Sequence, residues 1–216
     1  MKQRKPNYYY TGSRPELKQF IPKTYSRVLE IGCGDGSFAH NLIQKCDYWG
    51  VEPNKEQANL AKKNVDIIFN ATYHDASKNL PDKYFDLIIC NDIIEHVTDH
   101  DELLLDLKDK LKKNGVIMGS IPNVRYVSNL MELLFQKDWK YKDEGILDST
   151  HLRFFTKKSI VRALTKNGYK ITEIKGINSI KIEPYPFSNL VKSILALLLG
   201  LDTRYLQFAF SAKKHD

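Results

Sequence analysis

Through the first 120 residues, short apolar runs alternate with segments whose apolar residues recur every three or four positions. That alternation is the pattern of βα units feeding a parallel sheet. The strand-like runs are 27–32 (RVLEIG), 48–53 (YWGVEP), 65–70 (VDIIFN), 85–91 (FDLIICN) and 115–122 (GVIMGSIP). Between them, 36–46, 54–64 and 101–115 read as helices with Lys near their C-terminal ends, the last stopping on Asn114-Gly115 as a C-cap. Ahead of the first strand, Ser13 and Glu16 form a capping-box pattern for a short helix that Pro22 ends.

Behind the fifth strand the pattern changes. An amphipathic stretch, 124–135, leads into a loop rich in aromatic and charged residues, then a helix capped by Thr156 and ending on Gly168, a strand over 169–177, and a final strand over 206–214. At 216 residues one domain over 1–216 is expected, with a basic arm and helix over 1–26, an acceptor-binding insertion over 124–155 and an apolar helical insertion over 184–204.

From Pro184 to Leu201 the only charge is Lys192. The stretch is too short and interrupted to span a bilayer, which takes about 20 apolar residues. Residues 187–201 read as a packing or homodimer-forming helix, with a peripheral membrane anchor as the alternative.

The net charge of +7 is unevenly placed. Residues 1–27 carry seven basic side chains against Glu16, so the remaining body holds only about +1. Such an arm suits a small anionic substrate at least as well as a nucleic acid, and no nucleic-acid partner is expected. Cys33, Cys46 and Cys90 lack metal-ligand spacing and form an odd set, which points to reduced thiols. The N-terminus, MKQRKPNYYY, has no apolar core of a signal peptide, so a cytoplasmic location is expected. Tyr8, Tyr9 and Tyr10 read either as a flap over a ligand or as a tail docked on the surface.

The stretch 28–42, VLEIGCGDGSFAHNL, puts Gly32, Gly34 and Gly36 where the first strand turns toward its helix, the place where ligands settle in an open α/β sheet. A dinucleotide fingerprint needs its third glycine three residues after the second, and Ser37 stands there instead. No Gly-Lys-Ser/Thr follows, so a P-loop fails too. Glu30 and Asp35 bring negative charge that repels pyrophosphate, leaving a cationic or zwitterionic ligand as the better fit. Glu52, in GVEP at the tip of strand two, can accept ribose hydroxyls or simply favour a helix N-terminus.

VLEIGCGDGSF, the acid of GVEP, Asp75 of HDA and FDLIICNDIIEHV together resemble the class I S-adenosylmethionine-dependent methyltransferases over about residues 13–175. The resemblance implies an α/β Rossmann-like, doubly wound, mostly parallel sheet of seven strands with the last antiparallel. It implies S-adenosylmethionine as cofactor, with binding roles for Glu30, Gly32, Gly34, Glu52, Pro53, Asp75, Ala76 and Asn91. The phrase running from IPNVRY to GILDSTHLRFFT is similar to methyltransferases of bacterial surface-polysaccharide and glycan pathways, which implies a sugar-like or phosphorylated small-molecule acceptor.

Methyl transfer to a hydroxyl needs an aligned acceptor and a route for its proton. His96 is one candidate base, because imidazole titrates near neutral pH, and a packed structural role is the alternative. Asp92, Glu95 and His96 are also spaced to ligate Mg²⁺ or a related ion, which the resemblance to methyltransferases with an acid-x-x-Glu-His motif implies, although such an ion needs several oxygen ligands, only this one cluster is visible and no metal is expected. His151 is the second candidate base, oriented by Asp148, with Arg153 facing a phosphate or carboxylate; alternatively these residues only shape a turn. Rival readings are an RNA methyltransferase, a nicotinamide oxidoreductase and a catalytically inactive, cofactor-binding partner subunit.

Overall fold

The structure, a computed structural model, describes residues 12–180 and 187–215, with side chains of the last helix described from Lys192 onward. Residues 1–11 of the basic arm, with Tyr8, Tyr9 and Tyr10, and residues 184–186 of the apolar segment lie outside that range.

The strands are β1 (Arg27–Ile31), β2 (Asp47–Val51), β3 (Ile67–Phe69), β4 (Phe85–Asn91), β5 (Leu111–Pro122), β6 (Tyr169–Ser179) and β7 (Tyr205–Lys214). They form one sheet in the order β3-β2-β1-β4-β5-β7-β6. β1 to β5 run parallel and β7 pairs antiparallel with both β5 and β6, as expected of the Rossmann-like class. Strand order reverses between β1 and β4, and the crevice at that switch point is where such sheets take ligands.

Alternate residues of the central strands feed opposite faces, as a two-residue period requires. Leu29, Ile88 and Cys90 join a core with Leu104, Leu107, Tyr169 and Phe208, whereas Val28, Leu87 and Ile89 pack with Leu17, Phe20 and Met118 on the other side. Helices α1 (Lys55–Ala61), α2 (Tyr73–Ala76), α3 (His100–Lys110), α4 (Val127–Met131), α5 (Lys157–Lys166) and α6 (Phe187–Leu199) complete the chain. Thr156 caps α5 as expected, in a reciprocal box with Ser159. Cys33, Cys46 and Cys90 are free thiols, the first and last buried. No helix of the described residues is long and apolar enough to cross a membrane.

Three local expectations are corrected. The helix expected over 36–46 is a single 3₁₀ turn, Ser37–Asn41, because polar side chains take other partners. Asp35 accepts from the Ser37 amide and hydroxyl, and the Asn41 amide bonds the Ser13 carbonyl. Ser13 and Glu16 form no capping box, since the 3₁₀ turn Pro15–Phe20 starts from a left-handed Arg14 (φ 51°) and Glu16 pairs with the Arg14 side chain instead. α3 ends at Lys110 rather than at Asn114-Gly115, because the fully buried Leu111 is claimed by pairing with Phe85. In the amphipathic stretch 124–135, α4 passes into a π-helical turn, Glu132–Gln136.

Candidate active site

A cavity of about 620 Å³ opens over the switch point. Its walls come from the carboxyl ends of β1, β2, β4 and β5, from the loop around 145–151, and from Leu206 and Gln207. β7 is antiparallel, so its first residues reach the same edge that the parallel strands reach with their last.

One wall is acidic and glycine-rich. Gly32 sits at φ 67°, so the turn favours glycine, and a Cβ there would fall 2.1 Å from Ile93 Cδ1 and push that side chain aside. Glu52 is buried at the end of β2, where Gly34 N–H donates to Oε2 (3.0 Å) and Asn54 N–H to Oε1 (2.8 Å). Burial raises its pKa and those two backbone donors oppose the rise. Glu30, also buried, accepts a hydrogen bond from the Tyr48 hydroxyl. Burial pushes its carboxyl up to about 8, against the Tyr48 bond, with Glu52 adding to the rise. Asn91 Oδ1 is buried without a hydrogen-bond partner. Glu30, Gly32, Gly34, Glu52, Pro53 and Asn91 all line this wall.

Asp75 and Ala76 do not line it. Thr72 caps α2, accepting from the Asp75 amide and donating to Asp75 Oδ2, while Ala76 packs in the core.

The opposite wall is built where β4 runs out. Asp92 adopts a left-handed backbone (φ 52°), a costly conformation for a non-glycine residue that surrounding contacts hold in place. Its carboxylate accepts from Arg14 Nη1 (2.5 Å), Ser120 Oγ (2.9 Å) and Gln207 Nε2 (2.8 Å). Arg14 also donates to Glu16, Ser120 and Gln207, tying the segment before β1 to the far strands. Sequence reading missed Arg14, Ser120 and Gln207, since nothing local marks residues brought together from such distant positions.

Glu95 and His96 follow on a 3₁₀ turn, Ile94–His96. The loop carrying His151 docks onto that turn, because Leu152 and Arg153 amides both donate to the Glu95 carbonyl (2.8 and 3.1 Å). His96 and His151 thereby meet edge to face, ring centroids 4.6 Å apart. One ligating atom from each of Glu95, His96 and His151 lies within 4.8 Å of the others. The acid–His cluster is therefore this trio and not Asp92, Glu95 and His96, as Asp92 is engaged by Arg14. Burial lowers the His96 pKa, with His151 adding to it, and burial raises that of Glu95 well above the carboxylate range. Asp148 is buried and accepts from the Thr150 amide and hydroxyl (2.8 and 2.7 Å), shaping the turn before His151. Arg153 donates to the Thr98 carbonyl (2.9 Å) at the margin of a second cavity it shares with Arg162 and Lys166.

Comparison with known proteins agrees with this layout. Residues 6–174 match the model of a methyltransferase domain. MJ1123, an uncharacterized protein of Methanocaldococcus jannaschii, is 30% identical over 74% of this chain and 72% of its own length. The ubiquinone biosynthesis O-methyltransferase of Rickettsia canadensis is 25% identical over 69% of this chain, which spans only 65% of that relative. A crystal structure of a SAM-dependent methyltransferase from Archaeoglobus fulgidus superposes with a TM-score of 0.67 at 22% identity, covering 92% of this chain and 91% of the other. The chain belongs to the methyltransferase-domain family and carries the Rossmann-like fold of its S-adenosylmethionine-dependent class.

Proposed function

We propose that the protein is an S-adenosylmethionine-dependent O-methyltransferase acting on a small hydroxylated acceptor, with a sugar, nucleotide sugar or other phosphorylated metabolite of surface-polysaccharide synthesis as its acceptor class. The observation that carries the reading is one cavity with two different walls: buried carboxyls and a glycine turn on one side, two imidazoles on the other.

The acidic wall fits the cofactor. Asn91 Oδ1, an orphaned buried acceptor, suits an N–H donor such as an ammonium group, and the Glu30 and Glu52 carboxyls suit a sulfonium far better than a pyrophosphate. Glu52 is held by two backbone N–H groups and keeps lone pairs for ribose hydroxyls. Asp75 and Ala76 have no part in this assignment.

The bound cofactor supplies an electrophilic methyl group on a positively charged sulfur. The chain positions the acceptor against it and handles the acceptor's proton. His96 is half-buried, its lowered pKa keeps it neutral near pH 7, and it lines the cavity, so it is the first base to consider, with His151 behind it. The ubiquinone-biosynthesis relatives are O-methyltransferases by name, which supports oxygen as the atom methylated and makes a phenolic hydroxyl the second acceptor class.

Calorimetric titration with S-adenosylmethionine and NAD, then a screen of activated sugars, glycan intermediates and catechols with labelled cofactor, tests the reading. Micromolar binding of S-adenosylmethionine with label on one hydroxyl class is expected, and His96→Ala should cut turnover by 10²-fold or more. Preference for NAD sinks it. Cofactor binding with no turnover on any class would favour an inactive partner subunit.

A further inference from the structure

The second cavity, of about 460 Å³, lies between the start of α3, one face of α5 and the segment 153–155. Ser159, Arg162, Ala163 and Lys166 line it from α5 at the i, i+3, i+4, i+7 spacing of a single helical face, while Ile160 and Leu164 turn into the core. Phe154, Phe155 and Ala163 are its apolar members, and charged or polar groups make up the rest.

The charges of this cleft do not cancel. Asp101 is the one carboxylate among its lining residues, and it already accepts from Lys166 Nζ and Asn167 Nδ2, each at 2.6 Å. Arg153 gives an N–H of Nη2 to the Thr98 carbonyl (2.9 Å) and makes no ion pair among the described residues. Arg162 has neither an ion pair nor a side-chain hydrogen bond among the described residues. A guanidinium carries five N–H donors, so most of those on the two arginines are unspent. Two planar forks that open onto one cleft, with no carboxylate left for either, suit a multiply charged oxyanion, and phosphate offers them three acceptor oxygens.

The cleft is coupled by position to the main cavity. His151 lines that cavity and Arg153, two residues on, lines the cleft, so their Cα atoms stand at most about 7 Å apart. Phe154 borders the cleft and lies 6.4 Å, ring to ring, from His151. The Leu152 and Arg153 amides, both bonded to the Glu95 carbonyl, hold this segment in place.

We propose that the cleft is an anion subsite that takes a phosphate group of the acceptor, with Arg153 and Arg162 as its two binding cations. The inference rests on the phosphorylated acceptor class of the function proposed above and deepens it. The phosphate fixes one end of the acceptor at the arginines, and the hydroxyl end is left to the imidazoles.

The test is calorimetric titration with inorganic pyrophosphate at low ionic strength, beside Arg162→Gln and Arg153→Gln. One pyrophosphate per chain with a dissociation constant below about a millimolar is expected, weakened about fivefold or more in each variant and weakened again by added salt. Circular dichroism and an S-adenosylmethionine affinity within about twofold of the wild type report that the variants are folded. Arg162 is exposed, so Arg162→Gln keeps the test informative should Arg153→Gln disturb the loop. Glucose 1-phosphate, UDP-glucose and free glucose then compete with pyrophosphate. Displacement by a phosphorylated sugar and not by glucose is expected, and whichever of the two displaces it better names the source of the phosphate. Absence of pyrophosphate binding up to millimolar levels overturns the proposal, as does binding that both folded variants retain or that neither phosphorylated sugar displaces. Arginine-dependent pyrophosphate binding by a folded protein that ignores S-adenosylmethionine would leave the anion site standing and sink the methyltransferase mechanism instead. Methylation of an uncharged acceptor by a protein blind to pyrophosphate would do the reverse.

Discussion

The two walls of the cavity are made in different ways. The acidic wall is assembled from the tips of β1, β2 and β4, adjacent strands whose ends the parallel register places side by side. The histidine wall is assembled from a 3₁₀ turn and a loop some 55 residues later, held together by two amide bonds to one carbonyl, that of Glu95. Strand tips inherit the stiffness of the buried central strands, whereas the loop is fixed by a few hydrogen bonds to that turn. The difference teaches that cofactor binding here should be insensitive to changes in the acceptor loop, and that the sheet pays its own cost for carrying carboxyls inside.

That cost gives the largest expected effect. Glu30 ionises at about 8 in the folded chain because of its burial, whereas in the unfolded chain it ionises near the ordinary value of 4.5. Between those limits the folded protein holds a proton that the unfolded chain has released, so this group's contribution to stability falls as pH rises from 4.5 to 8 and levels off above. Glu30→Gln removes the titration. The variant should gain on the wild type by on the order of 3 kcal/mol between pH 5 and pH 8.5, measured by urea unfolding at both pH values. A gap independent of pH would show that the acidic wall is not strained in this way.

The next effect sharpens the comparison on the binding side. Glu52→Ala leaves the Gly34 and Asn54 amides without their acceptor and removes the carboxylate offered to the ribose. S-adenosylmethionine affinity should drop about 100-fold, roughly 2.7 kcal/mol, in a calorimetric titration. A change under about threefold would remove Glu52 from the cofactor site.

What the sequence made legible follows the same division. Apolar runs over 27–32 and 85–91 announce β1 and β4 almost to the residue, since central parallel strands are apolar on both faces. The glycine spacing and Glu52 could be placed at strand tips for the same reason. Asp75 is less legible: the HDA triplet reads as a binding acid, and in the fold it sits on the Thr72 cap of α2, outside the residues that line the cavity. Segment 36–46 has helical periodicity and yet makes only one 3₁₀ turn, because side-chain bonds from Asp35 and Asn41 outcompete the helix. His96 and His151 were each readable as candidate bases, whereas their meeting with Glu95 depends on the docking of residues 152 and 153, which no local pattern encodes. Arg14 was legible only as one charge in a basic arm, although it braces Asp92 across the cavity.

The smallest effect tests the independence of the two walls. Trp139 packs edge-on against Phe154, centroids 5.1 Å apart, and Phe154 in turn stands 6.4 Å from the His151 ring. Neither aromatic lines the cavity, so their service is to hold the loop that presents His151. An edge-to-face pair contributes about 0.5–1.5 kcal/mol beyond its buried area. Trp139→Ala should therefore loosen the loop and lower turnover roughly three- to tenfold, with the affinity for S-adenosylmethionine unchanged within twofold. Steady-state kinetics on the acceptor found by the screen, paired with cofactor calorimetry on the same preparation, separates the outcomes. If affinity for the cofactor falls in step with turnover, the loop and the strand tips act as one unit, and the histidine wall is supported by the sheet as firmly as the acidic one.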